Sequence, residues 1–170
     1  ITHNHTIEEV KKMGIFEPPL PTRMISAAKY RGLEFDRRKG RMVCQGFRAI
    51  EGVHHDGKSF AASPSQHTQK ILMSFVAGKD FDCLSWDIKT AYLFGERVKP
   101  ACLSYPAGFR RDKDGEALYM IARRGHYGET NAGRMWAETR TKKMLQMHDG
   151  PKWSVYICKT DPCLNVITYW

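Results

Sequence analysis

The chain has 170 residues, of which 42% are hydrophobic and 26% charged. These values fit one globular domain with a sizeable core and exclude general disorder, collagen-like repeats and a coiled coil. Lys and Arg number 27 against 18 Asp and Glu, a net charge of +9, which favours a polyanionic partner through counterion release but also fits a basic soluble protein with no nucleic-acid role.

Residues 1–35 carry polar and Pro-rich text, including EPPLPTR. They are expected to form a peripheral segment ahead of a main unit over 36–170. Next, RRKGRMVCQGFR sets Arg37, Arg38, Lys39 and Arg41 against a short strand-like stretch, Arg41 to Phe47, followed by a Gly- and His-rich loop, GVHHDGKSF. Ser63 and Gln66 have the spacing of a capping box, with Pro64 at the favoured first helical position. Ile71, Leu72, Phe75 and Val76 then fall on one face and Gly78 supplies a stop, so a helix packing this face into the core is expected.

The run FDCLSWDI alternates and is rich in strand formers, which predicts a strand ending near Asp87 or Ile88. KTAYLFGE reads as a turn or short helix broken at Gly95, and ACLSYPAGF as a short strand followed by a Pro-Gly turn. DKDG is a hairpin signal leading into the strand EALYMIARR. From Ala132 to about Met147 propensity and the Gly150-Pro151 stop predict a helix, although its apolar residues scatter around the wheel. WSVYICK and CLNVITY are two closing strands around TDP. Interleaved elements without a regular βαβ period make the class α+β.

The apolar runs, such as ILMSFVAG, are too short to cross a bilayer, and ITHNHTIEEVKK lacks the charged lead of a secretory leader. Five cysteines at irregular spacing point to a reducing, intracellular setting. Cys158 and Cys163, in CKTDPC, together with His3, His5, His54 and His55, are a weak basis for a zinc or nuclease module, because no further ligand has convincing spacing. The chain begins with Ile and closes inside strand-like text, which predicts a fragment or a piece of a polyprotein.

Asp87 stands between Trp86 and Ile88 at the end of an apolar run. A carboxylate there must be solvated, paired or bound to a cation, and by spacing alone the end of a strand at the surface accounts for it. WDIKTAYLFG, preceded by RKGRMVCQGF and followed by RRGHYGETNAGRMW, resembles the reverse transcriptase of copia-type retrotransposons. Six features of that family occur in its order over roughly Arg37 to Leu164: the basic strand, a helix, the Asp87 motif, a P-x-G-F turn, the Gly125–Trp136 block and D-P-C.

The resemblance implies a partial right-hand polymerase fold, fingers and part of the palm, built as an antiparallel sheet with packed helices. It also implies two-metal nucleotidyl transfer with Mg²⁺. Its partners would be an RNA or DNA template-primer duplex, deoxynucleotide triphosphates and the remainder of a polyprotein (further palm, thumb and ribonuclease H), in a cytoplasmic particle or the nucleus and away from membrane. Asp87 would be the first catalytic aspartate and a metal ligand, with the Ile88 carbonyl as a further ligand. The backbone of Thr90 and Ala91 would lie near the triphosphate, and Tyr92 would pack on the sugar and reject a 2′-hydroxyl. Lys39 and Arg41 would meet the triphosphate, and Tyr127 and Gly128 would lie beneath the nucleotide. Arg134, Arg140, Lys142 and Lys143 would hold nucleic acid.

Several positions depart from the family pattern. His126, Glu129, Thr130, Asn131 and Gly133 replace Leu, Leu, Lys, Gln and Pro, and an anion at 129 beside a phosphate path is expected to weaken binding. Met42, Cys44 and Gln45 are also atypical. The family's aromatic-x-Asp-Asp turn does not occur before Trp170, so one of three expected metal-binding aspartates is present and the 170 residues alone are expected to be inactive. The alternative is a diverged, non-catalytic nucleic-acid-binding remnant.

Overall fold

A computed structural model of the chain describes residues 1–85, 87–109, 111–146 and 153–169, with the backbone alone for Trp153 and Tyr169. At its centre lies a three-stranded antiparallel sheet in the order β1 (Thr2–His5), β7 (Tyr119–Arg124), β4 (Glu96–Ser104). Side chains alternate across β7, and both faces are covered. Met120 and Ala122 pack with Leu103, Leu20 and Cys44 on one face. Ile121 packs with Cys102, Val10 and Ile15 on the other. Leu103, Met120, Ile121 and Val10 are the largest fully buried side chains, each contributing about 1.5–3 kcal/mol by leaving water.

Val10 comes from α1 (Ile7–Lys12), which opens with a capping box: Thr6 Oγ1 accepts from the Glu9 amide at 3.3 Å, and Glu9 accepts from the Thr6 amide at 3.0 Å. The helix closes in a Schellman turn. Gly14, at φ 76°, donates to the Lys11 carbonyl, and Ile15 donates to that of Val10. Both ends of this short helix thus serve to set Val10 and Ile15 against Ile121.

Strands β2 (Thr22–Arg31) and β3 (Glu34–Cys44) form a long hairpin. Gly32, at φ 65°, takes the first central position of a two-residue turn that favours glycine there. The register runs from Thr22 opposite Cys44 to Arg31 opposite Glu34, with an irregularity after Lys29. Only the foot is buried; residues 23–41 are exposed. The foot is fixed to the sheet by Leu20 N–H to the Cys102 carbonyl (2.9 Å), Ser104 N–H to the Leu20 carbonyl (3.1 Å) and Thr22 Oγ1 to the Ser104 carbonyl (2.6 Å). The text over 1–35, read as peripheral, therefore contains β1, α1 and β2 and supplies Val10, Ile15 and Leu20 to the core. Its elements show few apolar positions because few of them face inward. Likewise β3 starts at Glu34, and Gly46–Arg48 form a tight 3₁₀ turn instead of continuing the strand.

Helix α2 (Gln66–Gly78) is capped by Ser65, whose hydroxyl accepts from the His67 amide at 3.2 Å, so Ser63 and Pro64 lie before the helix. Asp161 ties this end down. One carboxylate oxygen accepts from the Ser65 amide and the other from the Cys163 amide, both at 3.0 Å. The Thr68 hydroxyl bond, followed by these amides, holds the carboxyl below the usual range. The expected packing of the apolar face is not found: no residue of α2 is buried, Ile71 is 70% and Phe75 52% exposed, and Phe75 meets Phe81 edge-on at 5.8 Å. The predicted strand over 81–88 is also absent among the described residues, Trp86 lying outside them. A strand needs a ladder partner to satisfy its amides, and no described strand pairs with this stretch.

Other elements follow the sequence more closely. Ala91–Phe94 make a 3₁₀ turn ended by Gly95. Strands β5 (Asp112–Lys113) and β6 (Glu116–Ala117) flank Asp114 and Gly115, both at positive φ. Helix α3 spans Ala132–Gln146; Met147 and the Gly150-Pro151 stop lie outside the described residues. Strands β8 (Trp153–Ile157) and β9 (Asn165–Tyr169) pair antiparallel.

Candidate functional site

Three sequence segments cross at the foot of the hairpin. The Cys44 amide donates to the Tyr127 carbonyl at 2.7 Å, and the Gly46 amide donates to that of Gly128 at 3.0 Å. These backbones approach so closely that a Cβ at Gly46 would run into the Gly128 carbonyl, and one at Gly128, itself at φ 79°, into that of Cys44. Below them Gly125 donates to the Gly95 carbonyl at 2.8 Å, and a Cβ at Gly125 would stand 2.6 Å from the Tyr92 carbonyl. The glycines of the G-H-Y-G text are thus contact points at which no side chain fits.

This crossing brings three predicted residues together. The Arg41 guanidinium lies 5.5 Å from the centre of the Tyr127 ring, within cation–π range. The Tyr92 ring meets Tyr127 edge-on at 6.0 Å and 82°. Lys39 follows Arg41 two residues away on the same face of β3. Arg41, then desolvation, then Lys29 and Arg37 push the Lys39 ammonium below its ordinary pKa, the signature of gathered cations. Thr90 stands at φ 58°, an uncommon conformation for a β-branched residue, and accepts from the Leu93 amide at 2.8 Å to open the turn carrying Tyr92. Ala91 is half-buried there.

Asp87 is exposed and Ile88 half-buried. No group of three His, Cys, Asp or Glu suited to a metal ion occurs among the described residues. The described residues thus do not fit a complete divalent-cation centre. His54 is engaged in its loop, with Nδ1 accepting from the Ile50 amide and Nε2 at 2.9 Å from the Pro18 carbonyl.

On α3, a single nitrogen of Arg134, Nη2, donates to both oxygens of Asp56 (2.9 and 3.0 Å), and Arg134 Nε lies 3.7 Å from Glu138, while Lys142 pairs with Glu96 at 3.1 Å. Arg140 is half-buried and Lys143 exposed. Two of the four cations expected to hold nucleic acid therefore have carboxylate partners within the chain.

Glu129 differs from its expected place beside a phosphate path. It is buried and paired with Arg97, their side chains 3% and 8% exposed, and its other oxygen faces the Cys44 thiol at 3.9 Å. Burial holds the Glu129 carboxyl above its usual range despite Arg97. Burial, then Glu129, drives the Cys44 thiol up, so it stays protonated. His126 is buried as well, with Nε2 lacking a partner and its pKa lowered, chiefly by desolvation. The sequence carried no signal for this network, since its members lie at positions 44, 97 and 129 on separate elements.

An arginine and two tyrosine rings at the foot of a cationic hairpin, on a mixed α/β scaffold of antiparallel sheets, have the chemistry to meet a phosphate-bearing ring compound. The family model for reverse transcriptase (RNA-dependent DNA polymerase) matches residues 8–156, and the chain belongs to this family. Comparisons with curated proteins and with solved structures returned no match. Among the described residues no helix is long and apolar enough to cross a membrane.

Proposed function

We propose that the chain is the fingers and part of the palm of a copia-type reverse transcriptase, a partial right-hand fold that binds a deoxynucleoside triphosphate over Tyr127. The observation that carries this reading is the meeting of Arg41, Tyr92 and Tyr127, contributed by three separate motifs. Arg41 and Lys39 neutralise the triphosphate, Arg41 by a two-pronged contact. The backbone amides at Thr90 and Ala91 lie along the phosphates, Gly128 lets the backbone beside Tyr127 close on Cys44 beneath the nucleotide, and Tyr92 excludes a 2′-hydroxyl by bulk.

Asp87 supplies one carboxylate toward Mg²⁺, and the 170 residues do not complete the set. They therefore bind nucleotide without catalysing its transfer. Template-primer duplex is the second partner, with Arg140 and Lys143 as the α3 cations free of the ion pairs described above.

Titration with a fluorescent deoxynucleoside triphosphate tests the reading. Arg41→Ala is expected to weaken binding about tenfold or more, the loss of a charge-assisted contact. Tyr92→Ala is expected to erase the preference over the ribonucleotide. Unchanged affinity in Arg41→Ala would remove the proposed site. In a longer chain that carries the Asp-Asp turn, primer extension that survives Asp87→Asn would remove Asp87 from its role.

A further inference from the structure

Arg41, Tyr92 and Tyr127 reach the candidate site from three separate segments, and in the interior the same three segments meet a second time. Cys44 lies three residues after Arg41 on β3, Glu129 two residues after Tyr127, and Arg97 five residues after Tyr92, near the start of β4. The Glu129 carboxylate joins them. Its Oε2 accepts from Arg97 Nη1, and its Oε1 accepts from the Cys44 thiol at 3.9 Å. Arg97 is steadied in turn by a bond from Nε to the Lys99 carbonyl at 3.3 Å.

The departures from the family pattern at 44 and 129 are thus in contact with each other. Thr130, a third departure, donates its hydroxyl to the Gly46 carbonyl at 3.0 Å. Changes that satisfy hydrogen bonds in this way replace one packing by another and are not a scatter of unrelated losses. Tyr127 itself lies in the turn between β7 and α3, outside either element. Backbone bonds pin that turn to Gly95 at Gly125 and to the hairpin foot at Tyr127 and Gly128; past Gly128 the Glu129 side chain ties it to β4. An apolar side chain at 129 could fill the same space, but dispersion contacts tolerate sliding, whereas a carboxylate–guanidinium bond fixes distance and angle. The ring-edge and cation–π contacts of Tyr127 depend on such geometry.

We infer that Glu129 and Arg97 are positioning residues: their buried bond holds Tyr127 where its ring meets Tyr92 and Arg41, and so sets the floor of the nucleotide site without touching nucleotide. This rests on the reading above for what the site binds. It gives a use to a buried ion pair that an apolar pair could match for stability alone.

Two variants separate positioning from stability. Arg97→Met/Glu129→Leu fills the space without a directional bond, and Arg97→Lys keeps an N–H donor to Glu129. Fluorotyrosine incorporated throughout reads ring positions by fluorine NMR, and urea denaturation reads stability. The apolar double is expected to keep a near-native midpoint while the Tyr127 and Tyr92 lines shift or broaden and that of Tyr30, near the hairpin turn, does not. It is expected to bind a fluorescent deoxynucleoside triphosphate about tenfold more weakly, as for one misplaced charge-assisted contact. Arg97→Lys is expected to keep the lines and most of the affinity. Wild-type lines and affinity in the apolar double overturn the inference, and so does an equal loss in the two variants. Should the apolar double not fold, the unaltered protein decides. By reciprocity of coupling, triphosphate is expected to slow maleimide alkylation of Cys44 more than that of Cys102, buried on the other face of the sheet. Equal slowing of the two thiols, the mark of general stabilisation by a ligand, overturns it. If the wild type binds no triphosphate, the nucleotide reading falls instead, and the tyrosine lines still judge the positioning role.

Discussion

The central sheet and the projecting elements obey different rules. β7 is covered on both faces, and an ion pair, Arg97–Glu129, is closed off from water beside it. The hairpin and α2 carry side chains of similar kinds, Met24, Phe35, Ile71 and Phe75, in the open. In the first region packing decides what each residue is worth; in the second, backbone ladders and caps hold the element, and side chains are available to meet something else. The candidate site lies where the two regions join, with Arg41 on the projecting side and Tyr127 on the packed side.

Breaking the ion pair probes the packed region most severely. Arg97→Ala leaves Glu129 dry and without its counterion, and an expected loss of about 3–5 kcal/mol should appear in urea denaturation. Arg97→Met with Glu129→Leu should recover most of it, because apolar residues of similar size need no solvation. Next, Leu103→Ala is expected to cost about 2–5 kcal/mol, whereas Ile71→Ala on α2 should stay within about 0.5 kcal/mol. Equal losses at these two positions would dissolve the contrast.

A smaller effect is tied to pH. Burial lowers the folded-state pKa of His126, so the unfolded chain takes up its proton first as pH falls. Stability is then lost from about pH 6.5 downward to the depressed folded value, and the melting temperature of His126→Leu should fall less over that range. The smallest is local. Asp161 has a lowered pKa, so its hold on Ser65 and Cys163 is complete above about pH 4 and fades below it. Asp161→Asn should speed amide exchange in the first turn of α2 without moving the global midpoint.

Much of the packed region was legible locally. The strand at β7, the turn at Asp114-Gly115, the turn at Tyr92 and the start of α3 are each set by a few adjacent residues. The T-x-x-E box at Thr6 was a readable signal for α1 that the polar text around it obscured. β2 was harder, because TRMISAAKYR is exposed along nearly its whole length and no inward row marks it as a strand. Its hairpin rests on the ladder to β3 and the turn at Gly32. The apolar stripe of α2 pointed to a buried face, yet a stripe states only that a face is sticky; what lies against it depends on distant chain.

The sequence by itself determined the family, the positive charge, the tyrosines, and the glycines that later prove to be points of close approach. Only the tertiary structure decided that Arg41 meets Tyr127 and that Glu129 turns inward to Arg97. Turn and cap chemistry acts within a few residues and can be read in place. The contact of Arg41 with Tyr127, far apart in the chain, depends on two backbones passing at Gly46 and Gly128, and that passage is fixed by the packing of the whole sheet beneath it.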